Sequence, residues 1–318
     1  MSSMNAASPV SLSLSDPIAA PRVSVVIPAY NAQRYLFEAM ESVLTQTYRN
    51  FEVIVVDDGS TDRTPQIIDS LAAHDRRVRR LTIPHGGIVK GLNAGVQAAR
   101  GEYIARTDAD DLCVPDRFER QVRYLDDHPD CVLVGSKVTL VDPYNSTLWD
   151  VEVKADHDGI EGELLNGNGW AVIHPSAMLR KSAVMEAGGY RPEYEWVEDL
   201  DLFLRMAQFG RLANLQDSML RYRQHYGSVN RNKLDTQIQR TGKAVAEAYQ
   251  RRGRTAPAEF TPKVGTTMSR QEQTRAWCLQ ALFTRNYFAA RRHALAIIRA
   301  EPLRVDSWKM MLHALAGR

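Results

Sequence analysis

Val23-Ser24-Val25-Val26-Ile27-Pro28 is almost wholly apolar, rich in β-branched residues and closed by a proline. A run without polar alternation reads as a strand buried on both faces, the kind found in parallel sheets covered by helices. The pattern repeats. Leu36, Ala39, Met40, Val43 and Leu44 recur at helical spacing between Tyr35 and Thr45. Phe51 to Val56 is a second buried strand that stops at Asp57-Asp58-Gly59-Ser60. A helix is expected from about Thr64, with Thr61 or Asp62 as cap and Pro65 in the first turn. Val78 to Ile83 gives a third strand and Lys90 to Ala99 a further helix, and Tyr103 to Arg106 leads into Thr107-Asp108-Ala109-Asp110-Asp111. Strands alternating with helices predict an α/β fold, a doubly wound, mostly parallel sheet flanked by helices. Ligands in such sheets bind beyond the carboxyl ends of the strands, so the two acidic loops should meet in one crevice.

The length, 318 residues, suits one large α/β domain with an appendage. Residues 1–20 are Ser/Ala-rich without a basic residue, and read as a disordered leader rather than a secretory signal. From Cys131 to about Tyr226, strands mix with a helix over Asp199–Gln208. Beyond residue 230 the pattern is wholly helical: Lys233 to Arg251, a Pro/Gly/Thr linker from Gly253 to Gly265, then Gln271 to Arg285, Tyr287 to Ala300 and Val305 to Ala316. The expected division is a leader to residue 20, a domain over 21–230 and a helical region over 231–318. Cys113, Cys131 and Cys278 are odd in number, lack metal-type spacing and read as free thiols in a reducing compartment. No apolar run approaches the roughly 18 residues that a membrane-spanning helix needs. A cytoplasmic protein is therefore expected.

Charge is divided unevenly. Residues 1–220 hold 21 Lys and Arg against 32 Asp and Glu, whereas residues 221–318 hold 19 against 6. An acidic domain suits cation-assisted chemistry. A basic tail suits an anionic partner, including the cytoplasmic face of an anionic inner membrane, or is a solvated helical surface. Nothing in the motifs points to nucleic acid.

Asp108 and Asp110 stand two residues apart, so in extended backbone their carboxylates project to the same side. Such a pair suits a hard divalent cation bridging a diphosphate, with the second acid on a ribose hydroxyl or metal-bound water. A solvated or capping turn has the same composition. Asp57-Asp58 is either a helix-entry turn or an acceptor for a base N–H, and Tyr30 is either a stacking face for that base or a core residue. Glu198-Asp199 opens an amphipathic segment, as acids do at a helix start, or supplies a general base. Arg221-Tyr222-Arg223-Gln224-His225 combines guanidinium groups and an imidazole, suited to diphosphate binding and a further metal ligand, or forms a surface basic cluster.

The order of these motifs closely resembles family 2 glycosyltransferases of the GT-A fold. The resemblance runs from the first strand with Pro28-Ala29-Tyr30-Asn31 through Asp57-Asp58-Gly59-Ser60, Gly91-Leu92-Asn93-Ala94-Gly95, Ala99-Arg100-Gly101-Glu102 and Asp108-Ala109-Asp110-Asp111. It continues in His174-Pro175-Ser176, Gly188-Gly189-Tyr190, Glu198-Asp199-Leu200 and Tyr222-Arg223-Gln224-His225, covering about 21–230. It implies that Ala29 and Tyr30 frame the nucleotide base, Asp57 binds it, Asp108 lies near the ribose and Asp110 holds Mn²⁺ or Mg²⁺. It further implies Asp199 as the base, supported by Glu198. Arg223 and His225 are then candidates for the donor diphosphate and the metal. The implied reaction is inverting transfer of a sugar from a nucleotide sugar, UDP-linked by expectation, to a hydroxyl of a glycan or lipid-linked acceptor. The processive members' Gln-x-x-Arg-Trp motif is missing, so one sugar per event is expected. Two rival readings remain. A nucleotidyltransferase or dinucleotide-binding oxidoreductase would show a Gly-rich turn after the first strand, which this chain lacks. A non-catalytic nucleotide-sugar-binding scaffold would have no need of the acidic motifs.

Overall fold

The computed structural model describes residues 20–226, 234–257 and 268–317. The expected leader up to residue 19, the expected helix start at Lys233 and residues 258–265 of the expected linker lie outside the described residues. The first half follows the expected alternation: β1 (Val23–Ala29), α1 (Leu36–Leu44), β2 (Phe51–Asp57), α2 (Thr64–His74), β3 (Val78–Thr82), α3 (Ile88–Ala98) and β4 (Tyr103–Arg106). The middle adds β5 (Leu112–Cys113), α4 (Arg117–Asp127), β6 (Cys131–Val141), β7 (Thr147–Val151), α5 (His157–Leu165), β8 (Met178–Arg180), α6 (Lys181–Glu186), α7 (Glu198–Met206) and β9 (Arg211–Arg223). Four helices follow: α8 (Leu234–Arg251), α9 (Arg270–Phe283), α10 (Tyr287–Ala300) and α11 (Val305–Ala316).

One sheet runs in the order β3-β2-β1-β4-β8-β6-β9-β5, with β7 added against β6. It is parallel through β3-β2-β1-β4 and between β6 and β9. At β8, β5 and β7 it is antiparallel. The expected parallel order thus holds over the first four strands, and the whole sheet is mixed. The short 142–146 turn forces part of this, because a parallel pair needs a longer crossover.

β2 is buried along its whole length, as its mostly apolar run implies, and its Glu52 is buried with a hydrogen bond from Ser24. Side chains alternate across β1. Val23, Val25 and Ile27 join one core with α1, α2, α4, α9 and α10, while Val26 joins the other with α3, α5, α7 and α8. The C-terminal helices therefore cover both faces of the sheet. Ala29 pairs with Asp57 and Val26 with Arg106, so the chain leaves β1, β2 and β4 along one edge, where the acidic loops begin.

Candidate active site

The loop after β4 concentrates charge. Oxygens of Asp108, Asp110 and Asp111 all lie within 4.8 Å of one another. Arg106 Nη2 lies 2.6 Å from Asp108 Oδ1, and the guanidinium is almost fully buried, with Nε and Nη1 unpartnered among the described residues. Asp111 accepts the backbone N–H of Arg223 on Oδ1 (2.8 Å), and its buried Oδ2 has no partner among the described residues. Burial, then repulsion from Asp110 and Asp108, pushes the Asp111 carboxyl well up. Burial also raises Asp108, and the Arg106 charge opposes it. Three clustered carboxylates with one nearby guanidinium, and a buried Asp111 oxygen unpartnered among the described residues, form a set that a divalent cation would complete, and all-oxygen donors suit Mn²⁺ or Mg²⁺.

His225 Nε2 stands 2.7 Å from Asp110 Oδ2, so the structure brings together the two expected metal ligands. Arg223, expected at the diphosphate, directs its guanidinium at protein atoms: Glu38 at 2.7 Å and the Asp110 carbonyl at 2.8 Å, with the Tyr35 ring centroid 4.7 Å away. In this arrangement it holds the acidic loop from behind.

On the β1–β2 side, Tyr30 is 49% exposed and stacks on His85, ring centroids 4.3 Å apart, so it is a free-standing face and not a core residue. Ala29 is buried beneath it. Buried Asp57 accepts Ser60 N–H on Oδ1 (3.0 Å) and has Arg80 Nη1 at 3.6 Å from Oδ2. Asp58 accepts the backbone N–H groups of Gly86 (2.8 Å) and Gly87 (2.9 Å), which draws the 84–87 loop and His85 toward Tyr30. Gly87 has φ +85°, a conformation that favours glycine. The motif reading gave no role to His85 or Arg106, and carried Asp58 and Asp111 only as members of their acidic motifs. Only the Gly86-Gly87 pair after β3 hinted that a loop closes there.

Glu198 and Asp199 form the first turn of α7. Asp201, fully buried, anchors that helix through Arg191 and Arg205 (2.7 Å), and Arg205 also donates to the Gly189 carbonyl (2.8 Å). Trp196, just before the pair, has φ +77°, an uncommon backbone for a large side chain. Asp199 Oδ1 accepts the Leu200 N–H (2.8 Å). Burial raises Asp199, and Asp108 contributes to that rise while Arg106 opposes it. The α7 acids and the β4 loop thus share one electrostatic neighbourhood. Burial and then Asp199 push the Glu198 carboxyl up to about 8, and its Oε2 is buried without a partner among the described residues. Nearby, His174 Nε2 is 2.8 Å from the Tyr190 hydroxyl, and burial holds this imidazole well below its usual range.

Residues 24–188 match the family model described as Glycosyl transferase family 2. A glycosyltransferase named EpsE from Bacillus subtilis (strain 168) is 34% identical over 223 residues, 69% of this chain and 78% of its own length. Chondroitin synthase of Pasteurella multocida (strain Pm70) is 30% identical over 228 residues, 68% of this chain but only 22% of its own length. The structure of S. aureus TarS 1–349 with UDP-GlcNAc matches with a TM-score of 0.56 at 18% identity, covering 93% of this chain and 89% of that one. Mannosyltransferase PcManGT from Pyrobaculum calidifontis, with GDP-Man and Mn²⁺, has a TM-score of 0.52 at 21% identity, covering 95% and 87%. These two share the fold. The chain belongs to glycosyl transferase family 2, and it is a nucleotide-sugar-dependent glycosyltransferase.

Proposed function

We propose that this crevice transfers one sugar at a time from a UDP-linked donor to a hydroxyl of a glycan or lipid-linked acceptor, with inversion and divalent-metal assistance. The carrying observation is the cluster of Asp108, Asp110 and Asp111 in electrostatic reach of Asp199. TarS is bound to UDP-GlcNAc and PcManGT to GDP-Man and Mn²⁺, which supports a nucleotide-sugar donor and the metal. Among the described residues no helix is long and apolar enough to cross a membrane.

In this reading Tyr30 stacks on the base, over Ala29, and Asp57 accepts its N–H. Asp108 takes the ribose, and Asp110, Asp111 and His225 are the residues that would hold Mn²⁺ or Mg²⁺. Bound there, the cation would supply positive charge to the departing diphosphate. Arg223 keeps the acidic loop in place. Asp199 removes the proton from the acceptor hydroxyl as its oxygen bonds to the anomeric carbon. The bond from that carbon to the diphosphate oxygen breaks, and its electron pair leaves with UDP. Glu198 lies behind Asp199 as its support. Residues 21–230 form the transferase domain, and the basic 231–318 region carries a peripheral contact with an anionic membrane surface.

A panel of UDP- and GDP-sugars tests this. One UDP-sugar should release UDP in the presence of Mn²⁺, and EDTA should stop it. Release unaffected by EDTA would remove the metal from the scheme, and no release from any donor would leave a binding protein.

A further inference from the structure

We propose, on the strength of that reading, that the C-terminal helices belong to the donor site, and that Trp277 is the positioning residue through which they hold His225 against Asp110. β9 ends at Arg223, and the last ladder bond runs from Gln224 N–H to the Val141 carbonyl (2.8 Å). His225 therefore sits just beyond the sheet, where strand pairing no longer fixes it. Both of its neighbours are gripped by α9. Trp277 Nε1–H donates to Gln224 Oε1 (2.8 Å). The Tyr226 ring lies 4.9 Å from that of Trp277, and its hydroxyl is 2.6 Å from Thr274 Oγ1. Trp277 is itself buried in the core shared with the sheet, so its indole is a fixed donor and not a swinging one.

A second line reaches the same place from α10. Asp142, fully buried in the β6–β7 turn, takes Arg292 and has His293 Nε2 at 2.8 Å. The same carboxylate accepts the N–H groups of Tyr144 and Ser146, both at 2.9 Å, which sets the shape of the turn. The turn's Pro143 carbonyl accepts from Arg223 Nη1 (3.4 Å), and Arg223 Nε donates to the Asp110 carbonyl (2.8 Å). His293 also lies against Trp277, ring centroids 5.5 Å apart, so the two lines start from one cluster. One ends on His225 and the other on Asp110, the 2.7 Å pair at the proposed metal site. Ligands held in place before the ion arrives do not have to be ordered by it, so loosening either line should weaken metal-dependent donor binding.

The full chain is titrated with UDP by calorimetry at a series of Mn²⁺ concentrations, for wild type, Trp277→Phe, Gln224→Met and the double variant. Each single substitution removes the same hydrogen bond and should raise the half-saturating Mn²⁺ by about 3- to 10-fold. The double variant should be no worse than either single, as expected of one shared interaction. UDP affinity without metal should not move. Leu279→Ala, on the 57% exposed side of α9, should leave both quantities at wild-type values. Gln224→Met leaves the Trp277 core intact, so it carries the test should Trp277→Phe fold poorly. A wild-type Mn²⁺ dependence in Gln224→Met would overturn the inference while leaving the proposed function standing. Wild-type UDP binding that is itself indifferent to Mn²⁺ would overturn the metal reading and this inference together.

Discussion

Glu198 and Asp199 are adjacent and chemically alike, but their surroundings differ. Glu198 is buried, and with its carboxyl pushed up to about 8 it is mostly protonated at neutral pH, which makes it a poor proton acceptor. Burial raises the Asp199 carboxyl as well, but Asp199 is only partly buried, and the Leu200 N–H and the Arg106 charge oppose that rise. Asp199→Asn should therefore lower kcat by about 10²–10⁴ while donor KM stays near wild type, measured as initial rates with the active donor. Loss of donor binding with kcat preserved would make Asp199 a helix cap. Asp57, Asp108, Asp110 and the Glu198-Asp199 pair were legible in the sequence as acids at strand and helix ends, while their separate roles came only from the family resemblance. Arg106 and Asp111 were not. Their importance lies in buried nitrogens and an oxygen left without partners among the described residues, a property of the assembled core that no local pattern carries. Arg223 was legible as a site residue, but the direction of its guanidinium, toward Glu38 and the Asp110 carbonyl, was not.

The elements read most easily were those whose burial matches their hydrophobicity. β1 to β4 with their helices were visible for that reason. α4 was not, because Arg117, polar by composition, is fully buried and donates to the Arg106 carbonyl (2.7 Å). β5 has only two residues, too few to show a period. Arg100-Gly101 was legible as a motif, yet its physical reason is an approach between elements. Ser24 Oγ accepts both the Arg100 (3.1 Å) and Gly101 (2.8 Å) N–H groups and donates to buried Glu52 (2.7 Å). A Cβ on Gly101 would stand 2.7 Å from Ser24 N and 2.9 Å from the Arg22 carbonyl oxygen, all backbone and unable to move aside. Gly101→Ala should then cost about 1–3 kcal/mol, seen as a lower urea midpoint at unchanged m-value. A midpoint equal to wild type would mean that β1 and the Gly101 turn can separate freely.

For the whole molecule, the sequence showed a change from acidic to basic near residue 220, and the structure shows what the basic part does with its side chains. Part of it is internal: Trp277 is buried, and Tyr287, partly buried, donates to the Gly317 carbonyl (2.8 Å). The helices beyond residue 230 share their cores with the sheet, a union that composition along the chain cannot reveal because it depends on contacts far apart in sequence. Three aromatics of α9–α11 face outward, with Phe283 75%, Phe288 74% and Trp308 52% exposed. Exposed Arg285, Arg291, Arg299, Arg304 and Lys309 stand on the same three helices or the turns between them. Rings that enter a headgroup layer beside cations that meet its charge are the combination expected at an anionic bilayer. Each basic residue near such a surface contributes about 1 kcal/mol, and salt screens that attraction within roughly a Debye length. The full chain should therefore float with phosphatidylserine vesicles at low salt, release as NaCl is raised, and ignore phosphatidylcholine vesicles. Trp308→Ser should weaken flotation at low salt without altering the Mn²⁺ dependence of UDP binding, since Trp308 does not lie on the lines from Trp277 and Asp142 to Asp110. Absence of any salt-sensitive binding would reject the membrane contact, and dimerisation rising with protein concentration in its place would give this face to a second copy of the chain.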